Sequence, residues 1–138
     1  KKELIINSAG KNMSPSNIEN ALKAACLLIG SAVAIGDRRP YNTALLVLDP
    51  DAAAAFASAE GLTDPTPQAC ADHPAIRAAV DAGVEAANAT LSRVEQIKAY
   101  TLLPVVWEPG GDELTPTMKL RRTPIAEKYA AQIEAMYA

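Results

Sequence analysis

Lys119 stands in the stretch Leu114-Thr115-Pro116-Thr117-Met118-Lys119-Leu120-Arg121-Arg122, just ahead of a helical pattern. Pro116 fixes its own φ and biases Thr115 toward extended backbone, and the Thr117 hydroxyl can bond nearby backbone. The loop therefore has few conformations to lose, and a lysine on it can be aimed. An ammonium on a four-carbon stem suits paired anionic oxygens, such as those of a phosphate or a carboxylate. The ordinary alternative is a solvated surface lysine serving solubility.

The other residues that could do chemistry point to structure. Cys26 and Cys70 belong to no CxxC or Cys/His cluster, so a metal site is not indicated; Cys26 lies in an apolar run where a thiol acts as a small hydrophobe. Both are expected reduced and unpaired. His73, the one histidine, precedes Pro74 at a helix start and reads as a cap, with no nucleophile motif beside it. Trp107 reads as a hydrophobic lid.

The elements that must position Lys119 follow from periodicity and turn chemistry. Lys2 to Ala9 reads as a short strand delivering a turn at Gly10. Ser14 and Pro15 start a helix to about Ala25, with Met13 spaced to staple onto Ile18 and with Ile18, Leu22 and Ala25 on its buried face. Leu28 to Ile35 and Thr43 to Leu48 read as an antiparallel pair joined at Asp37-Arg38-Arg39-Pro40. Asp49-Pro50 starts an alanine-rich helix that Gly61 stops, and Thr63 to Asp72 reads as an aperiodic loop. Pro74 to Leu91 carries Ile76, Val80, Val84, Ala87 and Leu91 on one helical face, and Ile97 to Leu103 is a third core strand. Thr123-Pro124 is expected to cap a last helix with the stripe Ile125, Tyr129, Ile133 and Met136. The expected fold is α+β: a small three- to five-stranded sheet with three or four helices packed on it.

With 138 residues, 49% of them hydrophobic, the chain can bury one core of ordinary size, so residues 1–138 are read as one domain. A net charge of −3, with no basic cluster interleaved with aromatics, argues against a nucleic-acid partner. No long uncharged apolar run and no leader pattern are seen, which predicts a cytoplasmic chain.

Three separated patches resemble one family. KKELIINSAGKNMSPSNIE looks like the segment just beyond the hinge of long-chain fatty-acid–CoA ligases of the adenylate-forming superfamily. AIGDRRPYNTALL is similar to a hairpin turn of long-chain ligases, and LTPTMKLRR followed by IAEKYAAQIEAMY resembles their C-terminal end. The resemblance implies that this is their C-terminal lid domain, without the large N-terminal domain that carries most of the ATP site and the acyl tunnel. On that domain's partnership would depend the use of fatty acid, ATP, Mg2+ and CoA, and the fragment alone would be inactive. The resemblance implies that Lys119 bridges carboxylate and α-phosphate during adenylation. After domain rotation Gly10 would line the pantetheine channel, where a side chain would occupy the path. Lys11 would meet CoA phosphates or remain solvated, and Glu19 reads as helix-surface charge. A fatty-acid–AMP ligase loading a carrier protein, and a non-enzymatic interaction module, are the alternatives. Any membrane association would be peripheral.

Overall fold

Four helices begin with the same two-residue device, a capping side chain followed by proline. The computed structural model describes residues 3–138; Lys1 and Lys2, and with them the start of the strand expected from Lys2, lie outside these. Ser14 Oγ accepts the Asn17 amide to open α1 (Pro15–Ala25), and Asp49 accepts that of Ala52 to open α2 (Pro50–Ala59). Thr66 does the same for α3 (Pro67–Asp72), and His73 Nδ1 accepts the Ala75 amide at 3.1 Å to open α4 (Pro74–Thr90). In each case the cap satisfies an orphan donor, and proline fills a position whose N–H has no helical partner. The capping role expected of His73 is thus met.

The helix α3 corrects the expectation of an aperiodic loop over Thr63 to Asp72. It is only six residues long, too short for periodicity to reveal, but its own Cys70 and Ala71 are buried.

The strands form two small sheets. A hairpin pairs β1 (Ile5–Ile6) with β2 (Asn12–Met13), shorter than the strand expected up to Ala9. The main sheet has the order β3 (Ile29–Ile35), β4 (Asn42–Leu48), β5 (Ile97–Leu103). As expected, β3 and β4 are antiparallel; β5 runs parallel to β4 after the crossover through α2, α3 and α4. All seven residues of β4 are buried. Ala44, Leu46 and Leu48 point into one core with Ile18, Leu22, Ile76 and Val80, whereas Leu45 and Val47 point into a second with Trp107, Leu114 and Ile125. Ala25 is exposed, and Cys26 takes the buried position beside it. Both cysteines are free and buried, and burial pushes the Cys70 thiol above its ordinary pKa.

The last helix is broken in two, α5 (Arg122–Lys128) and α6 (Ala130–Tyr137), bringing the α-helices among the described residues to six against the three or four helices expected. Thr123 and Pro124 do not cap it: Arg121 is the capping residue, without a side-chain bond to the helix's first amides, and Thr123-Pro124 lie in the first turn. There a missing N–H costs nothing. Ile125, Tyr129 and Ile133 are buried as the stripe requires, with Met136 packed against them. Trp107 closes this second core, its Nε1–H donating to Tyr129 Oη at 3.1 Å. Among the described residues no helix is long and apolar enough to cross a membrane.

Candidate functional site

Lys119 sits at the far side of a tight hairpin whose geometry comes from four neighbouring residues. The Thr115 amide donates to the Lys119 carbonyl at 2.8 Å and the Met118 amide returns to the Thr115 carbonyl at 2.8 Å, with Leu114 and Leu120 bridging below. That leaves Pro116, Thr117 and Met118 as a three-residue loop, a form whose third residue is left-handed. Met118 has φ +66°, where side chains are rarely tolerated, so the hairpin holds a strained residue beside the lysine. It is Thr115, not Thr117 as the sequence suggested, whose hydroxyl ties the backbone: its Oγ1 accepts the Lys119 amide at 3.0 Å.

The hairpin's root is buried. Leu114 is in the second core, and the Arg121 amide donates to the Glu113 carbonyl at 2.8 Å. The Glu113 carboxylate, itself buried, accepts Lys128 Nζ at 2.7 Å and Tyr129 Oη at 3.0 Å. Burial raises the Tyr129 pKa, and the bond to Glu113 raises that of Lys128. Lys119 itself is exposed. It opens on a cleft of about 820 Å³ shared with Leu4, Ser14, Lys23, Met118 and Arg122. Leu4 and Met118 are 54% and 60% exposed, so the cleft joins cations to uncovered apolar surface.

Gly10 and Lys11 are brought together on a second hairpin. The Asn7 amide donates to the Lys11 carbonyl at 3.1 Å and the Gly10 amide to the Asn7 carbonyl at 2.9 Å. Asn7 Oδ1 accepts the Lys11 amide at 2.9 Å, and Gly10 has φ +85°. A Cβ on Gly10 would meet nothing within 4 Å, so within this domain glycine is demanded by the backbone angle and not by crowding. The hairpin rests on the turn before β4: the Ser8 amide donates to the Arg39 carbonyl and the Arg38 amide to that of Ile6. Neither Gly10 nor Lys11 lines the cleft of Lys119.

Glu19 is the residue that sequence reasoning misplaced. It is 5% exposed, not on the helix surface, and its carboxylate takes both ends of the Arg122 guanidinium and the Ala34 amide. No local signal reveals a partner 103 residues away. Among the described residues no group of three or more His, Cys, Asp or Glu is placed to hold a metal ion.

The family described as AMP-binding enzyme C-terminal domain matches residues 2–138. This chain belongs to that family. Over 138 residues it is 59% identical to a Mycobacterium tuberculosis protein named as the fatty-acid–CoA ligase fadD11, covering 100% of this chain and 24% of that protein. It is 39% identical to the M. tuberculosis long-chain-fatty-acid–CoA ligase FadD15, with 99% of this chain and 23% of that one covered. The adenylation domain of a carboxylic acid reductase from Segniliparus rugosus, solved with AMP and a co-purified carboxylic acid, shares the fold. Its TM-score is 0.71 at 19% identity, over 97% of this chain and 19% of that one. The α+β fold is therefore that of the C-terminal domain of adenylate-forming enzymes. The chain spans about a quarter of the length of the curated relatives it matches.

Proposed function

We propose that this chain is the C-terminal lid domain of an AMP-forming long-chain fatty-acid–CoA ligase, working with a larger upstream domain of its own polypeptide in the cytoplasm. The observation that carries the reading is Lys119: an exposed ammonium whose backbone is pinned by Thr115, on the rim of a cleft with uncovered apolar surface. In the first half-reaction a fatty-acid carboxylate oxygen bonds to the α-phosphorus of ATP and pyrophosphate leaves. Negative charge shifts between carboxylate and phosphate as it does so, and a pre-placed ammonium at Lys119 stabilises that transition state without reorganising. In the second, the CoA sulfur bonds to the acyl carbon and AMP leaves. The domain turns between the two, bringing the bare backbone of Gly10 against the pantetheine arm and Lys11 toward CoA phosphate. Mg2+ would neutralise phosphate charge when bound, held mainly by the upstream domain. Any contact with a membrane is peripheral.

The test is an assay of the polypeptide that contains this domain together with its upstream part. Supplied with ATP, CoA and a long-chain fatty acid, it is expected to form AMP and acyl-CoA in equal amounts. Fatty-acid-independent AMP release, or none, overturns the reading.

A further inference from the structure

Three residues beyond Lys119, Arg122 opens α5 with a side chain only 23% exposed. Its Nη1–H donates to Glu19 Oε2 at 2.6 Å and its Nη2–H to Glu19 Oε1 at 2.7 Å, a parallel two-bond fork. Glu19 Oε2 also accepts the Ala34 amide of β3 at 2.8 Å, and Arg122 Nε pairs with Glu3, ahead of β1. The Arg122–Glu19 pair thus ties together α1, β3, α5 and the Glu3 segment.

The energetics ask why such a pair is kept. Desolvating two ions costs several kcal/mol each, and a buried pair is often no more stabilising than well-packed apolar residues. What the fork provides is orientation, because a planar guanidinium satisfied by two oxygens of one carboxylate has a single geometry. Orientation is what a lysine hairpin needs, since a misplacement of about 1 Å at a reacting centre costs about 10²-fold in rate. The bond to Glu19 holds Arg122 above its ordinary pKa, so the guanidinium stays charged throughout the pH range of the fold.

We propose that Arg122, held by Glu19, is the positioning residue of Lys119: it locks the lysine hairpin to α1 and to the Glu3 segment, so that all three turn as one body. The inference rests on Lys119 being the adenylation lysine, and its test separates the two.

On the 138-residue chain, amide hydrogen exchange is measured for Arg122→Gln and Arg122→Lys. The amides of Thr115, Met118, Lys119 and Arg121 are expected to exchange at least about tenfold faster in both, while Val80 and Val84 in α4 stay as protected as before. In the polypeptide that includes the upstream part, both variants are expected to lower the kcat of acyl-adenylate formation by about tenfold or more, with KM for ATP and fatty acid unchanged. Lysine supplies the charge but not the fork, so a wild-type Arg122→Lys in exchange and in kcat overturns the proposal. So does loosening spread equally over α4, which makes Arg122 a general structural residue. A loosened hairpin with undiminished adenylation, in an enzyme that Lys119→Ala does disable, also overturns it. If Lys119→Ala leaves adenylation intact, the functional reading of the lysine falls, and exchange alone decides whether Arg122 fixes the hairpin.

Discussion

The hairpins at Asn7–Lys11 and Thr115–Lys119 repeat one pattern of bonds. In each, the first residue's amide and carbonyl close a three-residue loop, its side-chain oxygen accepts the amide of a lysine four residues on, and the residue before that lysine is left-handed. They differ in the left-handed residue and in the anchor. Glycine at position 10 leaves a bare backbone, whereas methionine at 118 bears a strain cost and presents an apolar side chain. The glycine hairpin rests on a turn through backbone bonds; the lysine hairpin is set between the second core and the Arg122–Glu19 fork. The same backbone thus presents two different surfaces: an exposed main chain at one hairpin, and a lysine beside an apolar side chain at the other.

The support beneath the glycine hairpin is where the largest change in stability is expected. Gly36 lies so close to Asn42 that an added Cβ would stand 1.9 Å from Oδ1, and Asn42 Nδ2 is already committed to the Val94 and Glu95 carbonyls. Gly36→Ala is expected to destabilise the domain by about 2–3 kcal/mol, read as a lower denaturant midpoint at unchanged slope. A loss under about 0.5 kcal/mol would mean that the turn under Gly10 yields freely and that its support is not rigid.

At the lysine hairpin a stabilising change is expected. Met118→Gly relieves a left-handed strain of roughly 1–2 kcal/mol but adds unfolded-state entropy, for a net gain of about 0.5 kcal/mol. Gly10→Ala should move stability the other way. If Met118→Gly destabilises instead, the methionine is packing within the domain and the two hairpins differ less in strain.

The smallest effect is electrostatic. Arg39 lies over the Tyr137 ring and pairs with Glu134, holding that carboxyl below its ordinary pKa chiefly through the hydrogen bond. A depressed folded pKa adds stability that is present above the unfolded carboxylate pKa of about 4.3 and is lost as pH falls through the folded value. The difference between wild type and Glu134→Gln should therefore shrink on acidification from about pH 6 to pH 3. A constant difference would show that Glu134 acts through packing alone.

The sequence made these features visible to different degrees, for physical reasons. Ser14-Pro15, Asp49-Pro50 and His73-Pro74 announce their helices because a cap and its helix are adjacent in the chain. Thr66-Pro67 carries the same signal, but the six residues that follow show no periodicity to mark a helix. The left-handed turn at Gly10 is legible from glycine, whereas Met118 gives no such sign, because its strain is imposed by the hairpin around it. The fork of Glu19 and Arg122 joins residues 103 apart in sequence, so only the folded chain displays it.

The measurement closest to the central claim separates the two half-reactions in the longer polypeptide. Lys119→Ala is expected to lower fatty-acid-dependent pyrophosphate exchange by about 10²–10³-fold, the usual cost of one pre-placed electrostatic donor. Acyl transfer from supplied acyl-adenylate to CoA should stay near the normal rate. Gly10→Leu is expected to give the reverse, with exchange retained and acyl-CoA formation stopped. Equal depression of both half-reactions by both substitutions would contradict the account, leaving the two hairpins as structure shared by a single working pose.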